Sequence, residues 1–419
     1  MPRPPATGLS AALAVILALV ASGSAPAQEV PRARDLGIPF DGEPGPLNAI
    51  TDVSGVEVGH ATLIRGEGRR IAGEGPVRTG VTAIFARGRD GIASDVFGGW
   101  HTLNGNGEMT GTTWLEESGF LGGPILLTNT LSIGAVHEAV IDWTNRRGSI
   151  AALPVVAETW DGTLNDIDGF HVRKEHAFAA MDSARGGPVT EGNVGGGTGM
   201  VCHGYKGGIG TSSRRLPDDE GGWTVGVLVQ CNYGNPFELT IAGIPVGREL
   251  GPSLLPCHLG PDPPTHPWLE GMPSCADRER RNGDASTRPF DAELGSIIVV
   301  IATDAPLLPH QLERLAQRAT IGIARMGGKG EDPSGDIFVA FSTAELGEAG
   351  PDGSIVTRRI SNDSITPLFY AVARATEESI VNAMVRAETM IGADEVRVSE
   401  LPVERVREIL RRHDRLIEE

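Results

Sequence analysis

The residue pair Gly295 and Ser296 joins a proline-rich segment to the most apolar stretch of the chain. Residues 251–295 hold 8 of the 29 prolines, and residues 296–303 read SIIVVIAT. Glycine permits a strained turn, so the following hydroxyl can attack the preceding carbonyl and form an ester that water cleaves. The α-amine released on the serine has an unperturbed pKa of about 7.7–8.0 and can act as a general base. The context therefore indicates a self-processing serine nucleophile, with a plain strand start as the alternative.

Other catalytic signatures are absent from the sequence. No GxSxG elbow, HExxH pair or CxxC pair occurs, and the ten histidines lack ligand spacing. The glycines at 195–199 and 207–210 fit neither GxGxxG nor a P-loop, so we interpret them as structural glycines at strand ends. A serine hydrolase with a histidine base, a zinc hydrolase and a nucleotide-binding protein all lack support.

Composition and charge exclude further classes. The net charge is −18 and the pI about 5.0, which argues against broad binding of nucleic acid. With 40% apolar and 21% charged residues the chain is globular, and its 57 glycines predict many tight turns.

The first 27 residues have the pattern of a signal peptide. Arg3 precedes an apolar run over 9–21, and Ala25 and Ala27 fit a peptidase site that cuts before Gln28. An uncleaved membrane anchor is the alternative, but the run is short for a bilayer. No later segment is apolar enough to span a membrane. We therefore expect a periplasmic or secreted protein.

Export permits disulfides. Cys257 and Cys275 lie 18 residues apart in one proline-rich segment, so they are a possible disulfide. Cys202 and Cys231 have apolar neighbours, which favours buried free thiols.

Strands and helices are predicted around these residues. Short strands are predicted at 53–58, 81–85 and 125–127, followed by a helix at 134–145. The segment 251–295 is interpreted as a linker or a long surface excursion. After it come a buried strand at 296–303, a helix at 309–326, a strand at 337–341 and a long helix at 367–391.

Several motifs together resemble one family. They are NAITDV at 48–53, GVEVGH at 55–60, LNGNGE at 103–108, ETWDG at 158–162, GGGTG at 195–199, NYG at 232–234, GSIIV at 295–299, ATDAP at 302–306 and GDIF at 335–338. On these residues the chain resembles the exported aminopeptidases that include DmpA-type L-aminopeptidase/D-esterase and the β-peptidyl aminopeptidases.

The resemblance implies an α+β fold, a four-layer αββα sandwich of the N-terminal-nucleophile type. It implies a precursor with a signal peptide at 1–27, an α chain at 28–295 and a β chain at 296–419 that stay associated after a cut at Gly295 and Ser296. Such enzymes need no cofactor, remove L-, D- or β-amino residues from peptides, amides or esters, and form tetramers of the αβ unit.

The same resemblance assigns roles to single residues. Ser296 would be the nucleophile and Asn232 the amide donor to the oxyanion. Ser334 and Asp336 would orient Ser296 and its amine, and Glu158 would hold the ammonium of the substrate. Without the resemblance, each of these residues more often has a structural role.

Two departures from the family pattern stand out. Trp160 occupies a position where the L-aminopeptidase/D-esterase members of the family have a tyrosine whose hydroxyl lies at the active site. Its indole offers only an N–H donor, and we expect a bulkier substrate pocket there. The segment 251–295 is longer than expected before the cut, and it either covers the cleft or hangs free after cleavage.

Two other functions stay open at this stage. An acyltransferase of the ornithine acetyltransferase type shares the fold, but its nucleophile is a threonine. The other alternative is a non-enzymatic exported binding protein in which the Gly295–Ser296 junction is inert.

Overall fold

The computed structural model describes residues 1–2, 31–149, 153–280 and 295–418. The chain from Pro31 onward is one compact unit. All but the first two residues of the predicted signal peptide lie outside the described residues. The described helices are α1 (Thr112–Ser118), α2 (Ile133–Asn145), α3 (Lys174–Ser183), α4 (Val246–Leu250), α5 (Cys275–Arg280), α6 (Pro309–Ala316), α7 (Ala319–Arg325), α8 (Thr366–Val385) and α9 (Val403–Arg412).

The strands are distributed over the same ranges. They are β1 (Glu57–Arg65), β2 (Val77–Phe85), β3 (Val96–Thr102), β4 (Phe120–Leu121), β5 (Ile125–Asn129), β6 (Val155–Thr159), β7 (Val201–Cys202), β8 (Tyr205–Lys206), β9 (Gly208–Arg215), β10 (Thr224–Asn232), β11 (Cys257–His258), β12 (Ser296–Thr303), β13 (Asp336–Ser342), β14 (Glu348–Ala349), β15 (Ile355–Val356), β16 (Met390–Ile391) and β17 (Val396–Val398).

Two sheets form the centre of the molecule. One has the strand order β1-β2-β5-β6 and the other the order β4-β3-β13-β12-β10-β9. In the larger sheet β12 pairs parallel with β13 and antiparallel with β10. The strand that begins at Ser296 therefore lies between two hydrogen-bonded neighbours, as its uninterrupted apolar sequence predicts.

The side chains of β12 show how the layers stack. Val299 and Ile301 point into a core shared with helices α6 and α8, whereas Ile298 and Val300 point into a core shared with the four-stranded sheet. This alternation follows from the two-residue period of a strand.

A further core lies on the outer side of the smaller sheet. There Leu126 of β5 packs with Val140 and Trp143 of α2, and α3 covers the same sheet. Helices, sheet, sheet and helices thus follow one another, which makes the fold the predicted four-layer αββα sandwich. Among the described residues, no helix has both the length and the apolar character needed to cross a bilayer.

Most predicted elements are confirmed. The strand over 296–303 and the helix over 134–145 are present, and the strands predicted at 81–85, 125–127 and 337–341 lie within β2, β5 and β13. The strand predicted at 53–58 is wrong for its first four residues. The Val53 amide donates to the Ile50 carbonyl and the Val56 amide to the Val53 carbonyl in successive turns, and β1 begins only at Glu57.

The two C-terminal helices were predicted too long. The helix expected over 309–326 is divided into α6 and α7, because its two halves pack against different elements. Helix α6 packs on β3 and β13, and α7 packs on α8. The helix expected over 367–391 ends at Val385. Met390 and Ile391 form β16 instead, which pairs antiparallel with β17.

Both cysteine pairs are bonded. The possible Cys257–Cys275 disulfide is present. The prediction that Cys202 and Cys231 are free thiols is wrong, because β7 and the end of β10 bring their Cα atoms to 5.6 Å and a second disulfide forms.

The described part of the insert, residues 251–280, packs against the body of the fold, which corrects the expectation of a linker. Its strand β11 pairs with β17. The backbone amide and the hydroxyl of Thr265 each donate to Asp394 at 2.8 Å. The insert is therefore held at several points and does not hang free over 251–280.

Candidate active site

Ser296 opens β12 at the edge where β10, β12 and β13 meet. Its side chain is buried, and the Gly335 amide donates a hydrogen bond to Ser296 Oγ at 3.0 Å. Gly335 directly precedes β13, so the parallel pairing of β12 and β13 aligns the two residues. The hydroxyl thus has a fixed position at the end of a central strand.

A buried carboxylate lies beside this hydroxyl. Ser334 Oγ donates to Asp336 Oδ1 at 2.7 Å, and the Ile297 amide donates to the same oxygen at 3.2 Å. Both Ser334 and Asp336 are fully buried. Asp336 is therefore hydrogen-bonded to the residue that follows Ser296.

Asn104 holds the other side of this carboxylate. Asn104 Oδ1 accepts from the Asp336 amide at 2.6 Å, and Asn104 Nδ2 donates to Asp336 Oδ2 at 3.4 Å. Burial raises the pKa of Asp336 to about 6, although the hydrogen bonds from Ser334, Ile297 and Asn104 oppose this shift. A carboxyl group with this pKa can exchange a proton near neutral pH.

Asn232 is the direct partner of Ser296 across the β10–β12 ladder. Its Oδ1 accepts from the Val201 amide at 2.7 Å, and its Nδ2 donates to the Trp160 carbonyl at 2.9 Å. A side-chain amide carries two N–H donors. Two hydrogen bonds thus fix the amide beside Ser296.

Gly295 lies against Asn232 so closely that only glycine fits. A Cβ atom built on Gly295 would lie 1.7 Å from the Asn232 carbonyl oxygen and 2.7 Å from Asn232 Nδ2. Real Cβ atoms essentially never approach other atoms within 3.0 Å. The structure therefore brings the predicted cleavage residues, the nucleophile and the amide donor together.

Glu158 lies near this group at the end of β6. The Glu108 amide donates to Glu158 Oε1 at 3.0 Å, and Thr130 Oγ1 donates to Oε2 in a short hydrogen bond. A Cβ on Gly107 would lie 3.1 Å from Gly335 Cα and 3.4 Å from Glu158 Oε1, so Gly107 fills the gap between them. Burial raises the pKa of Glu158. A cation beside this carboxylate would lower its pKa again.

The ring of Trp160 packs against the insert. Its ring centroid lies 5.4 Å from that of His266 and 5.1 Å from that of Trp268. Its backbone carbonyl is the acceptor for Asn232 Nδ2. Trp160 therefore contacts Asn232 through its backbone carbonyl and the insert through its ring.

Several contacts at the site were missed by sequence reasoning. Asn104 lies within the LNGNGE motif, whose pattern marks the loop without assigning a role to one residue. Thr130, His266 and Trp268 belong to no recognisable motif. Their contacts depend on how distant segments meet, and no spacing along the chain indicates this.

Known proteins resemble this chain over most of its length. Residues 48–398 match Peptidase family S58. Beta-peptidyl aminopeptidase BapA from Sphingosinicella microcystinivorans is 50% identical over 406 residues, which cover 96% of this chain and 97% of the relative.

Solved structures show the same fold. A beta-aminopeptidase from a Burkholderia species has a TM-score of 0.75 at 46% identity, covering 91% of this chain and 98% of its own. The L-aminopeptidase D-Ala-esterase/amidase of Ochrobactrum anthropi, a serine aminopeptidase with a variant of the Ntn hydrolase fold, has a TM-score of 0.77 at 42% identity, covering 92% and 99%.

The chain therefore belongs to Peptidase family S58. It is a hydrolase, an aminopeptidase with the fold of the N-terminal-nucleophile enzymes. This assignment favours a hydrolase over the acyltransferase and the inert binding protein.

Proposed function

We propose that this chain is an exported serine aminopeptidase that cuts itself between Gly295 and Ser296. Ser296 then removes N-terminal residues from peptides, amides or esters through an acyl-enzyme. The observation that carries the proposal is the contact of Gly295 with Asn232, directly beside the hydrogen-bonded Ser296 hydroxyl.

The self-cleavage proceeds in two steps. Ser296 Oγ bonds to the carbonyl carbon of Gly295, the C–N bond between the two residues breaks, and the hydroxyl proton passes to the leaving nitrogen. Water then hydrolyses the ester, which leaves a carboxylate on Gly295 and a free hydroxyl and α-amine on Ser296. The Asn232 amide stabilises the negative oxygen of each tetrahedral intermediate.

In the mature enzyme the new α-amine is the base for its own hydroxyl. Asp336 is hydrogen-bonded to the neighbouring Ile297 amide, so its charge stabilises the protonated amine. A substrate carbonyl takes the place of the Gly295 carbonyl. Glu158, buried near Gly335, binds the ammonium of the substrate.

The crowding at Gly295 favours substrates with an unsubstituted α-carbon. An L-residue placed like Gly295 would direct its Cβ onto the Asn232 carbonyl at 1.7 Å, whereas a β-amino acyl group carries a CH₂ at this position. Two of the related proteins are named beta-aminopeptidases. We therefore include β-amino N-termini among the proposed substrates and expect them to be preferred over L-residues.

Export and assembly complete the proposal. The signal pattern in residues 1–27 supports cleavage before Gln28 and a periplasmic or secreted enzyme. The resemblance described above supports a homo-oligomer of the αβ unit.

Replacing Ser296 with alanine tests the central step. We expect wild-type protein to consist of two polypeptides, 28–295 and 296–419, and to hydrolyse β-aminoacyl p-nitroanilides faster than matched L-compounds. Ser296→Ala should remain one chain without activity, because the variant lacks the hydroxyl that attacks the Gly295 carbonyl in the proposed step. Intact mass, denaturing gels and N-terminal sequencing measure the outcome.

A matched variant controls for the loss of a buried serine. Ser212 is also buried but lies within β9, so Ser212→Ala should be cut and active. Wild-type protein that is active as one uncut chain, or that is cut elsewhere, would overturn the proposal.

A further inference from the structure

A small cavity connects the candidate site with the insert. Asn232 and Gly295 line one side of it, and Pro256, Leu269 and Met272 of the insert line the other. Its volume is about 50 Å³. The insert therefore supplies part of the wall of a space that begins at the proposed point of cleavage.

We infer that this cavity is the specificity pocket for the acyl residue of the substrate, and that residues 256–272 of the insert supply the part of its wall that selects short aliphatic side chains. The inference rests on the proposed function, in which the acyl group of the substrate replaces Gly295 on Ser296. Substituents of that acyl residue start where Gly295 lies, and the cavity is the space that opens there.

The side of the wall that the insert supplies is apolar and firmly packed, whereas Thr163 and Asn232 line the cavity elsewhere. Leu269 and Met272 are almost fully buried, and they form a small core with Leu164, Met390 and two valines of β17. A hydrocarbon side chain can pack against this apolar side, whereas a charged group there would be desolvated without a partner.

The volume decides the size of the group. An engineered apolar cavity that binds benzene measures about 150 Å³. The cavity described here has about one third of that volume. A methyl or similarly short aliphatic side chain fits this space, whereas an aromatic ring requires the wall to move.

The wall is anchored independently of the cleavage site. The Cys257–Cys275 disulfide closes the segment. Arg69 Nη1 donates to the carbonyls of Asp262 and Pro263 at 3.2 and 3.0 Å, and Asp394 accepts the two hydrogen bonds from Thr265. All residues of the insert that make these contacts precede position 281, so cleavage at Gly295 cuts none of them from the α chain.

Met272→Ala tests the pocket in the processed enzyme. Removing the side chain enlarges the cavity, so the ratio of kcat/KM for an aromatic over a methyl-bearing β-aminoacyl p-nitroanilide should rise about tenfold. Met390→Ala is the matched control. Met390 belongs to the same small core but does not line the cavity, and its ratio should stay within about twofold of wild type.

The outcomes separate this inference from the proposed function. Wild-type protein that is neither cut nor active contradicts the proposed function before any ratio is measured. The inference is overturned if the ratio of the two kcat/KM values is unchanged in folded, processed Met272→Ala. It is also overturned if the ratio rises equally in Met390→Ala. Should Met272→Ala fail to fold, Met272→Val should show the same direction with a smaller rise, and an unchanged ratio there overturns the pocket too.

Discussion

The end of β12 and the insert differ in how they are built. At the end of β12, the polar side chains of Ser296, Ser334 and Asp336 are buried and linked through backbone amides of paired strands. The insert is closed on itself by a disulfide and is attached to the fold by the pairing of β11 with β17, a small apolar core and hydrogen bonds to Asp394, and it exposes 60% of Trp268. In the proposed enzyme the central sheet would therefore fix the residues that cleave the bond, and the insert would shape the space for the substrate.

Substitution of Asn232 should have the largest effect. This effect should be confined to the rates of bond cleavage. Asn232→Ala removes the amide donor, and loss of one such donor costs about 10²–10³ in kcat. We expect self-cleavage and kcat of the processed fraction to fall by about this factor, with little change in KM. Time-resolved gels and steady-state kinetics measure the two rates.

The isosteric variant Asn232→Asp serves as its control. It keeps the acceptor for the Val201 amide but places a negative charge near the developing oxyanion. Equal activity of this variant and wild type would contradict the assigned role.

Asp336 should make self-cleavage depend on pH. Its pKa is about 6 in the uncut chain because of burial, so lowering the pH through 6 protonates the carboxylate and removes its charge. At pH 5 only about one tenth stays ionised, and we expect cleavage to be about tenfold slower than at pH 7. Chain synthesised in a cell-free reaction and transferred to buffers of pH 5 to 8 gives the profile.

Asp336→Asn should remove the fall in the self-cleavage rate at acidic pH. The amide cannot titrate, so its residual cleavage should be slow and independent of pH between 5 and 7. An unaltered profile in Asp336→Asn would assign the titration to another group.

Trp268→Ala should have the smallest effect and should concern substrate binding only. Contacts between aromatic rings contribute about 0.5–1.5 kcal/mol, equivalent to a two- to tenfold change. Because Trp268 supports Trp160, we expect KM to rise by this factor while the extent of self-cleavage stays unchanged. Trp114→Ala provides the control, since Trp114 is 52% exposed on α1. If Trp268→Ala changed the extent of self-cleavage instead of KM, the insert would not be limited to substrate binding.

The sequence predicted the central sheet well. The run over 296–303 is apolar at every position except its hydroxyl-bearing ends, and such a run has few alternatives to a buried strand. The motifs around Ser296, Asn232 and Asp336 lie at strand ends that pair with one another, and this pairing brings the three predicted residues together.

What the sequence could not predict depends on contacts between distant segments. Cys202 and Cys231 have the apolar neighbours of free thiols, and only the packing of β7 against the end of β10 brings them close enough for a disulfide. Low periodicity over 251–295 indicated a linker or a long surface excursion. The described residues 251–280 are nevertheless fixed by a disulfide and by hydrogen bonds to Asp394, and neither requires an amphipathic pattern. Nothing along the chain indicated that Trp268 packs on Trp160.

The positions of the two disulfides have a consequence for the cut enzyme. All four cysteines precede Gly295, so both cross-links belong to the α chain. The β chain would then be retained by strand pairing and packing alone, with β12 and β13 in the middle of the six-stranded sheet. Unfolding of the precursor is a reaction of one molecule, whereas refolding of the mature enzyme becomes a second-order encounter of two polypeptides whose yield depends on their concentration.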